Sequence, residues 1–260
     1  MAQYGVLTDI TKCIGCKGCQ VACKNWNDYP ATKTSFNADW SNPPYMNYNN
    51  VTRVGFHVLE KGDEIKWRFA KVQCLHCLEP NCAEVCFVHA YEKSPYGPVV
   101  YFNPEICVGC RYCQLACPFL NISMKWDEVF ARVRKCTMCY DRLAQGLKPA
   151  CVTTCPPGAL KFGKRDELLK EARERINKNP EKYVNHIYGE KEVGGTSWLY
   201  ISDVPFEELG FRTDVMHNPV PKYTWKYVSK APILAVALPI FFAALYTYTK
   251  RRAENEEGGH

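Results

Sequence analysis

Sixteen cysteines constrain this chain more than any other feature, because they fall without remainder into four groups of four. The first group is Cys13, Cys16, Cys19 and Cys23, spaced C-x2-C-x2-C-x3-C. The second is Cys74, Cys77, Cys82 and Cys86, spaced C-x2-C-x4-C-x3-C. The third is Cys107, Cys110, Cys113 and Cys117, followed by Pro118. The fourth is Cys136, Cys139, Cys151 and Cys155, followed by Pro156, with a middle gap of eleven residues. Every group ends in C-x3-C, so the chain carries an internal repeat. Disulfides do not account for it. Thiols two residues apart pair only in strained or redox-active bonds, and the groups have metal-ligand spacing throughout.

The run C-x2-C-x2-C-x3-C is the spacing by which bacterial ferredoxins hold a [4Fe–4S] cluster. Three closely spaced thiolates converge on one cluster from a looping backbone. The fourth cysteine begins the next segment and ligates the other cluster of a two-cluster unit. Four quartets therefore predict four clusters in two such units. Cys74 and Cys107 are 33 positions apart, so the second and third quartets make a natural pair. The first and fourth are left to pair around them. The expected ligand sets are Cys13, Cys16, Cys19 and Cys155; Cys136, Cys139, Cys151 and Cys23; Cys74, Cys77, Cys82 and Cys117; and Cys107, Cys110, Cys113 and Cys86.

Zinc is the rival ligand. It favours two C-x2-C pairs across a long gap, and the fourth quartet alone could pass for such a site. A structural zinc scaffold thus stands as the alternative class. The formal charge of +6 suggests an anionic partner until cofactors are counted. Four clusters of about −2 each would bring the total to about −2, so charge does not argue for nucleic acid, and no nucleic-acid motif is present. Dinucleotide, phosphate, nucleophile-elbow and H-E-x-x-H signatures are all missing, which leaves no expected catalytic residue. His76, within "CLHC", is expected to tune or shield a cluster, and His57 and His89 to be structural or surface residues. Ile14, Val21, Val108 and Leu115 are expected to exclude water from the clusters.

Between the first two quartets lies an insertion of about residues 24 to 73. Its second half holds two β-rich runs around Lys61-Gly62-Asp63 and predicts a hairpin over about 51–72. "CQVACKNW" and "CQLACPFL" predict short helices, and Val99 to Phe102 a short strand before the Asn103-Pro104 turn. Residues Arg165 to Asn179 predict an amphipathic helix, with Leu168, Leu169, Ala172 and Ile176 on its apolar face. The segment "GGTSWLYISDVPFEELGF" predicts a strand and turn, read as an exposed aromatic surface able to dock a partner. The fold class is α+β: two intertwined bacterial ferredoxin-like 2[4Fe–4S] modules with a β-hairpin insertion and one C-terminal transmembrane helix. The expected division is a four-cluster region at 1–163, a capping and docking segment at 164–230, a membrane helix at 231–249 and a polar tail at 250–260.

The membrane helix rests on "APILAVALPIFFAALYTYT", Ala231 to Thr249, an uncharged run of nineteen residues. At ~1.5 Å per residue it spans about 28 Å, close to a bilayer core. Tyr246 and Tyr248 suit the interface, and Pro232 and Pro239 are tolerated in such a helix. Lys222, Lys226 and Lys230 precede it, while Lys250, Arg251 and Arg252 follow. The tighter basic cluster places the C-terminus in the cytoplasm and the cluster domain outside. The opening "MAQYGVLTDITK" has neither a basic segment before an apolar run nor a twin arginine, so no signal peptide is expected.

The order of the quartets, the eleven-residue gap and "CTMCYDRL…PACVTTCPPGAL" resemble the iron–sulfur (beta) subunits of the molybdopterin oxidoreductase, or dimethyl-sulfoxide reductase, superfamily. The resemblance covers about residues 5 to 163. "GGTSWLY" and the single C-terminal membrane helix are most similar to membrane-bound formate dehydrogenase beta subunits, with the similar subunit of periplasmic nickel–iron hydrogenase second. The resemblance implies a non-catalytic electron-transfer subunit of a respiratory complex in the bacterial inner membrane. Its implied partners are a large catalytic subunit with molybdenum or tungsten and pterin, or with nickel–iron, and a membrane cytochrome b that reduces quinone. It also implies that the first-and-fourth-quartet module faces the catalytic subunit, and that the second-and-third module faces the membrane partner. One departure is Phe87 after Cys86, where proline is frequent.

Overall fold

The computed structural model describes residues 3–36, 40–95, 100–129 and 132–257. The chain opens with strand β1 (Tyr4–Asp9) and helix α1 (Gly18–Trp26). Strands β2 (Thr52–Lys61) and β3 (Glu64–Gln73) then pair antiparallel from Thr52↔Gln73 to Lys61↔Glu64. Gly62, at φ +62°, takes the first place of their two-residue turn, where only a residue without Cβ adopts a left-handed conformation at no steric cost. The short helix α2 (Asn81–Glu84) precedes β4 (Tyr91–Lys93), which pairs with β5 (Val100–Phe102). Val99, assigned to that strand from sequence, lies outside the described residues. Then follow α3 (Tyr112–Leu115), the paired β6 (Ser123–Met124) and β7 (Val133–Arg134), α4 (Tyr140–Ala144) and α5 (Ala150–Thr153). Strand β8 (Leu160–Lys164), helix α6 (Arg165–Lys178) and strand β9 (Trp198–Ile201) complete the first compact unit, Met1–Pro219.

The order β8-β1-β9 puts the N-terminal strand in the middle of the largest sheet. β1 pairs antiparallel with β8 and parallel with β9. The strand alternation then sorts side chains to two faces. Leu7, Leu199 and Ile201 pack with Leu168, Leu169, Ala172 and Ile176 of α6. Val6, Trp198 and Tyr200 pack on the opposite side with Leu160, Cys136, Met138 and Cys151. One face of the sheet thus carries a helix and the other lies against cysteine loops.

This arrangement corrects the reading of the aromatic segment as an exposed docking surface. Trp198, Leu199, Tyr200 and Ile201 are fully buried, as are Val204 and Phe206. Trp198 Nε1 donates to Thr8 Oγ1 at 2.8 Å, so even its polar edge is satisfied inside. Just beyond β9, Asp203 takes both Lys66 (2.6 Å) and the Arg68 guanidinium, pinning the β2–β3 hairpin to this segment.

The second unit, Val220–His260, contains α7 (Val220–Val228) and α8 (Ala231–Glu257). Its helix from Lys222 to Arg252 is long and apolar enough to cross a membrane, and its most apolar stretch has no buried residue. Ile233, Ile240, Phe241 and Phe242 all stand exposed. Pro239 lies inside the helix.

Candidate metal centres

Each quartet begins with the same local turn. The residue before its second cysteine is left-handed: Gly15 (φ +69°), His76 (φ +51°), Gly109 (φ +70°) and Met138 (φ +54°). In three of the four loops this conformation turns the backbone N–H toward the sulfur two residues earlier. Gly109 N donates to Cys107 Sγ and Met138 N to Cys136 Sγ, both at 3.4 Å. Gly15 donates likewise to Cys13, which offsets part of the rise that burial causes in that thiol. Glycine fits two of the four positions by conformation. At Gly15 it also fits by space, since a Cβ there would lie 2.8 Å from the Phe69 ring.

A second turn recurs after the last cysteine of three quartets. His89, Leu120 and Gly158 are left-handed, and each donates its N–H to the carbonyl of the cysteine three residues before: Cys86, Cys117 and Cys155. The turn after Cys86 forms with Phe87 in place of proline, and the Phe87 side chain is exposed. Ala90 N donates to Cys86 Sγ at 3.2 Å, so this sulfur too faces a backbone donor.

The fold gathers the sulfurs across quartets. One cavity is lined by Cys13, Cys16, Cys19 and Cys155. Another is lined by Cys136, Cys139, Cys151 and Cys23, and a third by Cys74, Cys77, Cys82 and Cys117. Cys113 faces Cys107, Cys110 and Cys86. Two helix pairings bring segments of different quartets together. α1, carrying Cys23, packs on α5, which leads into Cys155. α2, leading into Cys86, packs on α3, which leads into Cys117. Among the described residues no three His, Cys, Asp or Glu side chains close on a point as a single metal ion requires. The fourth quartet, read alone as a zinc spacing, is divided: Cys155 lines a different cavity from Cys136, Cys139 and Cys151.

The donor set fits a cofactor bringing its own positive charge. Burial pushes the thiols of Cys19, Cys23 and Cys82 up to about 12, and those of Cys117 and Cys139 to about 11. The neighbouring cysteine sulfurs add to the rise. Iron would reverse both effects, and its binding releases the thiol protons. When bound, a [4Fe–4S] cluster supplies a one-electron redox centre. The chain supplies four sulfurs, N–H donors and apolar walls for each.

Sequence reasoning located every cysteine but missed what lies between them. Lys71 is buried and lines both the Cys13 and the Cys136 cavities. Its signal was a charged residue at an inward position of the alternating strand β3. Lys135 is also buried, its Nζ donating to Cys136 O at 3.1 Å. His76 is fully buried and lines the Cys74 cavity. Burial, with the Lys135 and Lys71 charges, holds its ring well below the ordinary histidine range and therefore neutral. His57 is part-buried in β2 and His89 is exposed. Ile14, Val21, Val108 and Leu115, expected to exclude water, are not buried within this chain. They are 58%, 55%, 48% and 79% exposed, although Ile14 also lines the Cys13 cavity.

Cavities lined by four cysteines each define an iron–sulfur electron-transfer protein. The sequence comparisons agree. A 4Fe–4S dicluster domain matches residues 12–90, and a second 4Fe–4S dicluster domain matches residues 65–165. A protein of Nitratidesulfovibrio vulgaris is 41% identical, over 96% of this chain and 68% of that one. The formate dehydrogenase-O iron–sulfur subunit of Escherichia coli is 34% identical, over 98% of this chain and 87% of that subunit. The hydrogenase-2 operon protein HybA of Escherichia coli is 36% identical, over 80% of this chain and 72% of that protein. The chain belongs to the iron–sulfur (beta) subunits of the molybdopterin oxidoreductase superfamily, and it is an electron-relay subunit carrying 4Fe–4S clusters.

Proposed function

We propose that the chain holds four [4Fe–4S] clusters and carries electrons between a catalytic subunit of the formate dehydrogenase type and a membrane cytochrome b that serves quinone. The ligands are Cys13, Cys16, Cys19 and Cys155; Cys136, Cys139, Cys151 and Cys23; Cys74, Cys77, Cys82 and Cys117; Cys107, Cys110, Cys113 and Cys86. The observation that carries this reading is the pattern of exposure. Cys16 and Cys110 are the exposed cysteines, while Cys113, Cys136, Cys139 and Cys151 are buried. A relay needs two ends near the surface and an interior shielded from water. Cys16 belongs to the outer pair of quartets and Cys110 to the inner pair, so the two ends fall on different modules.

The exposed apolar residues support partners at those ends, since large apolar side chains over a redox site favour a covering surface. Ile14, Val21 and Trp26 mark the face toward the catalytic subunit. Phe87, Val108, Tyr112 and Leu115 mark the face toward the membrane partner. In this reading 1–163 is the four-cluster region with the 51–72 hairpin inserted, and 164–230 caps and docks it. Residues 231–249 cross the bacterial inner membrane once, and 250–260 form a cytoplasmic tail, with the clusters in the periplasm.

Metal analysis of the complex, isolated from native membranes through a tag on this chain, tests the reading. About sixteen irons per chain, with matching acid-labile sulfide, are expected. Molybdenum or tungsten alongside fits the formate dehydrogenase type. Nickel would move the assignment to hydrogenase, for which the resemblance to HybA is the specific ground. Zinc in place of iron would overturn the relay.

A further inference from the structure

Among the described residues, Lys71 is the one charged side chain lining both the Cys13 and the Cys136 cavities. It is buried, and its ammonium is fixed from several sides. Nζ donates to Gln73 Oε1 at 2.6 Å and lies 4.4 Å above the Trp198 ring. The Gln73 amide is itself oriented, because its Nε2 donates to the Tyr200 hydroxyl at 2.7 Å. That hydroxyl donates in turn to the Lys71 carbonyl at 3.0 Å. The arrangement is a closed ring of neutral groups around one cation.

Neutral partners do not repay the cost of burying an ammonium, which the interior tolerates only opposite negative charge. The sulfurs lining the two cavities with Lys71 include Cys19 in one, and Cys151, Cys136 and Cys23 in the other; as thiolate ligands they would carry the facing negative charge.

We propose that Lys71 is a shared inter-cluster cation: one fixed positive charge, held by Gln73, Tyr200 and Trp198, that raises the reduction potentials of both clusters of the outer module. The inference rests on the ligand sets proposed above. Reduction adds negative charge to a site, so a nearby cation favours the reduced form. In a water-poor interior this attraction falls off slowly enough to reach two sites from one position. Lys71 also makes successive occupancy of the two sites less costly by screening one added electron from the other. It touches no reacting partner and acts as a positioning charge.

The test is a redox titration of the intact membrane complex, followed by electron paramagnetic resonance, with iron counted in the same samples. Parallel Cys16→Ser and Cys110→Ser complexes assign signals to the outer and inner modules. Lys71→Met, which keeps the side-chain length and removes the charge, is expected to keep about sixteen irons. It shifts both outer-module potentials to more negative values and leaves the inner-module pair in place. Unmoved outer potentials at full iron content would overturn the proposal. If Lys71→Met loses iron, Lys71→Arg decides. Retention of both outer clusters by the arginine variant supports a requirement for the charge, and equal loss in both variants reduces Lys71 to packing. An unsubstituted complex lacking the outer clusters would instead defeat the ligand assignment itself.

Discussion

Gly15, His76, Gly109 and Met138 occupy one structural position in four loops, yet only two of them are glycine. A backbone that must turn left-handed to aim an N–H at sulfur accepts histidine or methionine when packing compensates the strain. Such strain is of order 1–3 kcal/mol per residue. Both side chains are buried, His76 beside one cavity and Met138 beside another. The exchange of fourth cysteines is testable at single positions. Cys155→Ser should remove the cluster held with Cys13, Cys16 and Cys19, lowering iron by about four per chain. The signal of the site formed by Cys136, Cys139, Cys151 and Cys23 should survive. Loss of the latter signal instead would show that the fourth quartet holds its own cluster.

His186 offers a milder test in an accessible pH range. Its Nε2 donates to Glu192 Oε1 at 2.7 Å, and Glu192 also accepts the backbone N–H of Gly189 at 2.7 Å. The hydrogen bond to Glu192 raises the His186 pKa above its ordinary 6.5. A raised folded pKa stabilises the folded state most fully below 6.5, and that contribution is lost as pH rises through the folded value. Hydrogen exchange in residues 184–196 should therefore speed up, beyond the intrinsic pH effect, as pH rises above 6.5. His186→Gln should abolish that excess; an unchanged pH dependence in the variant would remove His186 as its source.

Helix α6 shows how a peripheral element holds the relay in place. It contributes no cysteine, but Leu168, Leu169, Ala172 and Ile176 cover the face of the β8-β1-β9 sheet turned away from the cavities. Arg175 reaches across to the buried Asp9 at 2.8 Å, and Tyr183 donates to the same carboxylate at 3.0 Å. Asp9 ends β1, and Cys13 follows four residues later, so this anchoring sets the entry to the first cysteine loop. Leu168 is buried beneath the sheet, and Leu168→Ala should cost about 2–5 kcal/mol of stability. Thermal unfolding of the isolated complex would read it as a lower midpoint with iron content unchanged at low temperature. A loss below about 1 kcal/mol would mean that the sheet closes over the gap.

The relay as a unit depends on both ends being intact. Cys110→Ser should spare electron transfer from substrate into the outer clusters and block quinone reduction, whereas Cys16→Ser should block entry. Rapid-mixing spectra of the two complexes would separate these outcomes; normal quinone reduction by either would break the series arrangement. The residue spacings were enough to place all sixteen cysteines in quartets, to expect the hairpin and α6, and to mark the apolar C-terminal helix. Those features are local: thiol spacing, alternation, periodicity and uninterrupted apolarity are written along the chain. The position of β9 beside β1 was not legible, because 192 positions separate Thr8 from its partner Tyr200, and long-range strand pairing leaves no local mark. The burial of the Trp198 segment followed from that pairing, so its aromatics read as a surface until the sheet closed on them. Lys71 was hidden for the same reason: a lysine in a strand reads as solvent-facing until hairpin, sheet and cysteine loops converge. Only that convergence puts one cation against sulfurs from two ends of the chain.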